Sequence, residues 1–507
     1  MPAARDPSRR QVLAAGAGAL GCAAVPGRAP VTPAIDLTAD VDVHCHTFCS
    51  ADLPIVGFVA HYIPGLTDLS KLVTRWPELV VRALLGVIAR LPNAVAPTGE
   101  AELASLQTLL GAPTGPVVTG VAPLPLELLD ELLAMVAAKL PFSIGADKQK
   151  LVARYLDTLY LAAHPRAAIA AALAETYRTV GLFTPALVDY DAWSDDRAPT
   201  PLATQILVQE AIARLSVRGR VGRPDARFHP FVAFDPRRQA EGAGPAVAPT
   251  LLPAPTPVSS ALEMVRYAIE RGGFVGVKVY PPVGFAPLEN ARLRPAAPLS
   301  ARIDEALGAL YRYCEAEEVP ITTHASPANE YEIGGHELVA PERWRPVLEG
   351  WPALRLNLGH FGSDYGVVDG TTEGWIYQGA ALIDRYPNVY ADLSNSPLVY
   401  DPPYATRLVG ILRDIVTRFP KVKRRLMYGS DWWLARLEPD AALAVERFRS
   451  TLAAVLHPEE LADLMGRNAL RFLGFLDEGN RPRSGRAAAR LRAFYGGAPL
   501  PPWLAAT

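Results

Sequence analysis

Eight short apolar runs, each followed by a stretch of helical periodicity, constrain the fold more than any other feature of the sequence. They cover 41–46, 182–188, 231–234, 274–280, 319–323, 354–358, 389–393 and 425–428. From the second run onward they recur roughly every 35 to 49 residues. Repeated strand–helix units predict an α/β fold with a parallel sheet, here a (β/α)₈ TIM barrel. A doubly wound open sheet is the alternative, and the lack of a Gly-rich nucleotide-binding turn disfavours it.

One interval departs from this spacing. About 135 residues separate the first and second runs, roughly 100 more than the later units need. Helical patterns over 77–91, 100–110, 126–140 and 148–177 predict a helical insertion spanning about 52–180. An insertion after the first strand of a barrel lies at the C-terminal face, where active sites are built. We expect either a cap over the site or a peripheral element for packing or homo-oligomerisation.

Charge and composition exclude several classes of protein. Fifty basic and 52 acidic residues give a net charge of −2, which argues against a nucleic-acid-binding face. No stretch approaches the roughly 20 apolar residues that span a bilayer, so no transmembrane segment is expected. Four cysteines without a CxxC motif are too few for a disulfide scaffold. A soluble globular protein acting on a small molecule fits these limits.

The N-terminal residues resemble a twin-arginine export signal. Arg9 and Arg10 precede an uncharged run of small residues over 14–25. The resemblance implies export in the folded state by the twin-arginine machinery, to the periplasm or the extracellular space. Lipid anchoring at Cys22 is a less favoured alternative, because Leu20 stands one position too close to the cysteine.

These features divide the chain into three parts. Residues 1–34 form the signal segment, 35–478 the barrel with its insertion, and 479–507 a basic, Pro-rich tail. We expect the tail to dock loosely as a helix.

Side chains that can bind a metal recur where the predicted strands end. His44 and His46 are two residues apart, so in a strand both point to the same side. His324 ends the fifth strand, His360 ends the sixth, and Asp431 follows the eighth. Imidazoles and a carboxylate at one edge suit a divalent cation. Each residue alone is a weak signal, but together they predict a metal site.

The segments that hold these residues resemble the metal-dependent amidohydrolase superfamily, in its amidohydrolase-related branch. That branch includes enzymes of the aminocarboxymuconate-semialdehyde decarboxylase type. The matching segments run in family order at 42–46, 273–281, 386–394, 429–431 and 466–474, together with the His324 and His360 strand ends.

The resemblance implies a site in which His44, His46, His324 and Asp431 surround one divalent metal, with zinc the first choice. His360 would lie beside it, as a catalytic base and electrophile or as a ligand of a second metal. Neutral imidazoles with one carboxylate leave the ion net positive, so it can lower the pKa of a bound water toward ~7. Asp431 would take the proton from that water and return it to the leaving group.

Lys278 in the fourth strand bears on the number of metals. In binuclear amidohydrolases a lysine at this strand becomes a carbamate that bridges two ions, and burial leaves the free amine able to take up carbon dioxide. In the amidohydrolase-related branch a lysine here often accompanies a single metal, as a cation that faces an acidic substrate. One ion is favoured, and two remain the alternative.

These residues imply hydrolysis of a carbon–nitrogen or carbon–oxygen bond of a small organic substrate. The alternatives are decarboxylation of a small unsaturated acid and an exported barrel that binds metal without catalysis. A PHP-type phosphoesterase is disfavoured, because Trp432 and Trp433 follow Asp431 where that class needs Asp-x-His. Arg237, Asn329 and Trp432 are the predicted substrate-binding residues, since each follows a strand end.

Overall fold

Short parallel strands carry the framework of the fold in the computed structural model. The model describes residues 39–54, 96–112, 114–138, 146–191, 197–242, 260–326, 335–362, 373–395 and 402–505. In these residues the strands are β1 (Asp40–Cys45), β2 (Val180–Pro185), β3 (Arg227–Phe228), β4 (Phe231–Ala233), β5 (Gly276–Val279), β6 (Ile321–His324), β7 (Leu356–Gly359), β8 (Val389–Asp392) and β9 (Leu426–Met427). Each of the eight predicted strands overlaps one of them. β3 is the additional strand, and it lies just before β4.

The strands pair in parallel as two sheets, ordered β1-β2-β3 and β4-β5-β6-β7-β8-β9. Pro230 lies between β3 and β4 and has no N–H to donate, so the hydrogen-bond ladder is interrupted there. β3 and β4 together therefore occupy one strand position of the barrel. Hydrogen bonds join the sheets at both ends. Leu187 N–H donates to the Phe231 carbonyl (3.0 Å), and Val43 N–H donates to the Tyr428 carbonyl (3.1 Å). The predicted TIM barrel is confirmed.

Helices surround the barrel and follow its strands. The helices of the described residues are α1 (Gly99–Gly111), α2 (Leu126–Ala138), α3 (Ala146–Ala162), α4 (Arg166–Thr176), α5 (Leu202–Val217), α6 (Pro236–Glu241), α7 (Ala261–Glu270), α8 (Asn290–Leu293), α9 (Ser300–Ala316), α10 (His336–Val339), α11 (Arg345–Gly350), α12 (Glu373–Arg385), α13 (Pro402–Arg418), α14 (Trp432–Ala435), α15 (Ala444–Leu452), α16 (Pro458–Ala462), α17 (Asn468–Leu473) and α18 (Arg486–Tyr495). Among them, no helix is long and apolar enough to cross a membrane.

The insertion after β1 is helical, as expected, and contributes α1 to α4. The prediction of one helix over 148–177 was wrong, because α3 ends before Pro165 and α4 begins after it. Proline lacks the N–H that a continuous helix would use, and its ring clashes with the preceding turn. The helix predicted over 77–91 lies outside the described residues.

A buried ion-pair network ties the insertion to the barrel. The Arg166 guanidinium, at the start of α4, donates to Asp52 (2.5 and 2.7 Å), Glu102 (2.6 Å) and Thr200 (2.8 Å). All four residues are buried. Loss of either carboxylate would leave a buried charge without its partner, so this network holds α1 and α4 in one register.

The C-terminal tail closes the amino-terminal end of the barrel. Ala488 and Leu491 of α18 are buried in one cluster with Val41 and Phe231, which lie near the starts of β1 and β4. The expectation of a loosely docked tail was therefore wrong. The buried positions of α18 recur at intervals of three and four residues and face the strand ends, which explains the tight packing. The chain divides into two units, Met1–Ile35 and Asp36–Thr507, and these elements belong to the second.

Candidate metal centre

Four histidines meet at the carboxyl end of the barrel strands. The ring centroids of His44 and His360 are 4.6 Å apart, those of His324 and His360 are 4.5 Å apart, and those of His44 and His46 are 5.6 Å apart. His44 lies in β1, His46 directly follows it, His324 ends β6, and His360 follows β7. Parallel strands end at the same edge of a barrel, so residues far apart in sequence converge there.

The β1 pair presents the Nε2 atoms to the interior. His46 Nδ1 lies 2.8 Å from the Ala186 carbonyl, which can only accept, so Nδ1 carries the proton. His44 Nδ1 lies 3.1 Å from the Asp392 carboxylate and donates to it in the same way. In both rings the lone pair is then on Nε2, the atom that can bind a metal.

The other two imidazoles follow the same pattern. His360 Nδ1 lies 3.2 Å from the Ser394 carbonyl. His324 hydrogen-bonds the Ser326 backbone, and its Nε2 is buried and has no hydrogen-bond partner among the described residues. A buried polar atom without a partner is costly, and a bound cation would satisfy this one.

Burial keeps three of the imidazoles, those of His46, His324 and His360, neutral. It lowers the pKa of His46 and of His324 well below the usual range, and it lowers the pKa of His360 to about 3. Metal ions bind the neutral form of imidazole. The site is therefore ready for a cation at neutral pH without first losing protons.

Lys278 lies among the imidazoles. Its side chain is buried, and Nζ is 3.2 Å from His44 Nε2. Burial lowers the pKa of Lys278 to about 8, although the nearby carboxylates of Asp392 and Asp431 oppose this shift. Near pH 7 a fraction of the amine is thus neutral and the rest is charged. The neutral form suits the predicted carbamate, and the charged form suits the predicted cation that faces an acidic substrate.

Asp431 completes the cluster from the segment after β9. Its Oδ1 lies 3.6 Å from His46 Nε2, and its N–H donates to the His44 carbonyl (2.8 Å). The φ angles of Asp431 (43°) and His360 (64°) lie in the left-handed region, which non-glycine residues rarely adopt. Such strain persists where surrounding contacts over-determine it, often at functional sites.

The donor set fits a divalent cation. Four ligands at ~2.0–2.1 Å around a tetrahedral zinc lie about 3.3 Å from one another. Among the predicted ligands, the separation between His46 Nε2 and Asp431 Oδ1 (3.6 Å) is close to this value. Among the described residues, the group whose donor atoms all lie within 4.8 Å of one another is His44, His360 and Asp392. The assignment of His44, His46, His324 and Asp431 to one ion remains a prediction.

Asp392 ends β8, and no role was predicted for it from the sequence. Its carboxylate accepts hydrogen bonds from His44 Nδ1 (3.1 Å), Asn357 Nδ2 (2.6 Å) and the backbone N–H groups of His360 and Ser394 (3.1 Å each). Its oxygens lie within 4.8 Å of ring nitrogens of His44 and His360, so it could also ligate. Because these donors already occupy it, we assign it to holding the imidazoles. Its position at a strand end in the 386–394 segment was the available signal.

Two other buried side chains, those of Ser430 and Asp42, fix the backbone just before Asp431. Ser430 donates to Asp42 through its hydroxyl (2.6 Å) and its N–H (2.9 Å). Burial raises the pKa of Asp42 to about 7. Asp42 precedes His44 by two residues and so lies on the same side of β1. Through its hydrogen bonds with Ser430, Asp42 stabilises the backbone turn that leads into Asp431.

The predicted substrate-binding residues have different surroundings. Arg237 forms a half-buried ion pair with Glu241 (3.0 Å). Trp432 is fully buried, and its Nε1–H donates to the His46 carbonyl (2.7 Å), so it holds the segment that follows β1. Asn329 lies outside the described residues. Substrate binding by the three remains a prediction.

Aromatic rings flank the imidazoles on two sides. Phe48 lies 5.6 Å from His46 and stacks on Trp433 at 5.3 Å, between ring centroids. Tyr280 lies edge-on to His324 at 5.2 Å. Phe48 and Tyr280 are partly exposed. They form apolar walls next to the polar cluster.

Residues 235–475 match the family model described as amidohydrolase. The matched segment contains Lys278, His324, His360 and Asp431, whereas the β1 histidines precede it. A search of curated protein sequences found no relative.

Several solved structures are similar at low identity. A 4-oxalomesaconate hydratase from Rhodopseudomonas palustris is 15% identical, with 79% of this chain and 95% of that chain covered and a TM-score of 0.37. An uncharacterised TIM-barrel protein from Bordetella bronchiseptica is 14% identical, with 71% and 96% covered and a TM-score of 0.36. A zinc-bound amidohydrolase from Burkholderia multivorans is 15% identical, with 59% and 84% covered and a TM-score of 0.34.

Proposed function

We propose that the chain is a metal-dependent hydrolase that cleaves a carbon–nitrogen or carbon–oxygen bond of a small organic substrate, and the match of residues 235–475 to the amidohydrolase family model supports this. One observation carries the proposal. Four imidazoles from three barrel strands converge, each with one ring nitrogen held by the protein, and the free Nε2 of His324 is buried without a partner among the described residues.

His44, His46, His324 and Asp431 would hold one divalent cation. Zinc is the first choice, because three imidazoles and a carboxylate match its preferred ligands. When bound, the cation would lower the pKa of a water molecule and polarise the oxygen of the scissile bond.

The protein's own groups would move the protons. Asp431 is buried against His46, and burial raises its pKa, so its carboxylate can take a proton from the attacking water and pass it to the leaving group. His360 lies beside His44 and His324, and it would hydrogen-bond the substrate oxygen on which negative charge develops. Partly exposed Phe48 and Tyr280 would keep bulk water from the substrate.

Decarboxylation is the second candidate, and the position of Lys278 favours it. A buried ammonium 3.2 Å from His44 Nε2 can pair with a substrate carboxylate. The flanking aromatic rings suit a planar, unsaturated acid. In that reaction Asp431 would deliver the proton to the substrate carbon as carbon dioxide leaves.

One experiment tests the proposed reaction. The mature protein is analysed for metals and then assayed against matched panels of amides, esters and lactones on one side and unsaturated or aromatic carboxylic acids on the other. We expect about one zinc per chain and metal-dependent turnover in the first panel. Turnover in the acid panel alone would establish the lyase, and a folded protein without bound metal would overturn the proposal.

We also propose export through the twin-arginine pathway, supported by Arg9 and Arg10 before the small-residue run 14–25. Replacing both arginines with lysine should retain the protein in the cytoplasm, because the receptor reads the guanidinium pair and not charge alone. Fractionation with a reporter fused after residue 34 measures this. Normal export of the lysine variant would indicate a general secretory signal instead.

A further inference from the structure

We infer that Asp392 and Ser394 act as one positioning unit that sets the tautomers of both His44 and His360, and so couples the two imidazoles through one carboxylate. The inference rests on the proposed function, since it assumes that His44 binds a cation.

The Asp392 carboxylate receives donors from several directions. Its two oxygens lie 3.2 and 3.1 Å from His44 Nδ1, and it accepts from the Asn357 amide (2.6 Å) and the His360 N–H (3.1 Å). These donors occupy both oxygens, so the buried group accepts them as a carboxylate. An ionised carboxylate only accepts. His44 must therefore donate through Nδ1.

The Ser394 hydroxyl extends this arrangement to the second imidazole. Its Oγ lies 2.9 Å from both His44 Nδ1 and His360 Nδ1, and it donates to Asp392 Oδ1. A hydroxyl has one proton, and the carboxylate receives it. Oγ can thus only accept from His360, so His360 also carries its proton on Nδ1.

The result is a chain of hydrogen bonds that runs from His360 to Ser394 to Asp392, where His44 donates from the other side. Both imidazoles are then left with a lone pair on Nε2. A stronger donation by His360 Nδ1 lets Ser394 donate more strongly to Asp392, and the carboxylate then accepts less from His44. Hydrogen bonds in a buried network polarise one another in this way.

An asparagine could not replace this carboxylate. Its amide has one acceptor oxygen and an NH₂ group that only donates. With donors on both sides, the NH₂ group would face a donor or drive His44 into the other tautomer. That tautomer carries its proton on Nε2, the atom that the cation needs.

Asp189 supplies a matched control. It is a buried carboxylate at the same end of the barrel, just after β2, and it accepts two hydrogen bonds from Arg238 (2.6 and 2.9 Å). None of its contacts described here is with an imidazole. Asp189→Asn therefore controls for the general cost of neutralising a buried carboxylate.

The test uses the metal-free mature protein titrated with Co²⁺ against a chromophoric chelator. Asp392→Asn should weaken Co²⁺ binding about 10- to 100-fold, the range typical of losing a partner that orients a metal-binding histidine. It should also alter the visible Co²⁺ spectrum. Ser394→Ala and Asp189→Asn should bind Co²⁺ within about threefold of wild type.

Ring-nitrogen NMR of ¹⁵N-histidine-labelled, metal-free protein tests whether Ser394 sets the tautomer of His360. The His360 signals, assigned by their loss in His360→Asn, should report protonation at Nδ1 in wild type. In Ser394→Ala the Nδ1 signal should shift, because only the backbone carbonyl of residue 394 (3.2 Å) is left to accept its proton. A wild-type His360 spectrum in Ser394→Ala would overturn the coupling. So would Asp392→Asn with wild-type Co²⁺ affinity, or an equal loss in Asp189→Asn.

The two proposals fail in different ways. If wild type took up no Co²⁺, the proposed function would fail, and the ring-nitrogen spectra would still decide the tautomers. If Asp392→Asn did not fold, judged by near-ultraviolet circular dichroism, the Ser394→Ala spectra would carry the test.

Discussion

The two ends of the same barrel use histidine in opposite ways. At the amino end His229 is fully buried, with Nδ1 3.0 Å from the Gly273 carbonyl and Nε2 3.2 Å from the Tyr495 hydroxyl. At the carboxyl end His324 is also buried, but its Nε2 has no partner among the described residues. Burial is common to both. The difference is whether the protein itself satisfies both ring nitrogens, and this separates a packing histidine from a candidate ligand.

The first prediction concerns the proposed metal ligands at the carboxyl end of the barrel. The His44→Ala/His46→Ala double variant removes two of the four proposed ligands, so bound metal should fall from about one per chain to background. Elemental analysis of the folded protein measures this. His229→Gln is the control at the other end and should keep its metal. An unchanged metal content in the double variant would contradict the ligand assignment.

The second prediction separates proton transfer from metal binding. Asp431→Asn should lower kcat by roughly 10²–10⁴-fold, the usual contribution of a positioned proton-transfer group, while the imidazoles retain much of the metal. Asp440→Asn is a matched control, since Asp440 also has a positive φ angle (55°) but pairs with Arg447 (2.6 Å). Wild-type turnover in Asp431→Asn with metal bound would refute the proton path.

The third prediction concerns pH and the amino end. Burial lowers the pKa of His229 to about 4, from 6.5 for a free histidine. The unfolded chain therefore binds more protons than the folded one between these values, and stability from His229 is lost as the pH falls from about 6.5 to 4. His229→Gln should make the free energy of unfolding less dependent on pH in this window. Equal slopes in urea titrations of both proteins would contradict this.

The fourth prediction is smaller. Tyr495→Phe removes the hydroxyl next to His229 Nε2 and should lower the free energy of unfolding by about 0.5–1.5 kcal/mol. Metal content and turnover should not change, because the hydroxyl lies at the end of the barrel opposite the site. Chemical denaturation measures the stability. An altered metal content would show that the two ends are not independent.

The fifth prediction expects no change. In a one-metal site Lys278 is a neighbour of the ligands, so Lys278→Met, which conserves volume, should leave about one metal per chain. Loss of about half the bound metal from a wild type that holds two would instead establish a bridged pair. Metal stoichiometry of both proteins in the presence of bicarbonate measures this.

Local patterns explain what could be predicted from the sequence. The two-residue repeat of a strand places His44 and His46 on one side, and the regular spacing of strands and helices predicts the barrel. A barrel in turn brings the His324 and His360 strand ends to one edge. These inferences need only neighbouring residues and the rules of one fold.

Tertiary structure alone decided the hydrogen-bond partners of these side chains and the packing of the C-terminal helix. Asp392 lies 348 residues from His44, and only the folded barrel brings the carboxylate to Nδ1. Which ring nitrogen faces the site depends on hydrogen-bond directions between strands, and these directions have no local pattern in the sequence. The packing of α18 under the barrel likewise depends on the shape of strand ends far away in the chain. The sequence by itself determined where imidazoles and carboxylates stand relative to the strand ends, and the fold determined which of their atoms the protein itself holds.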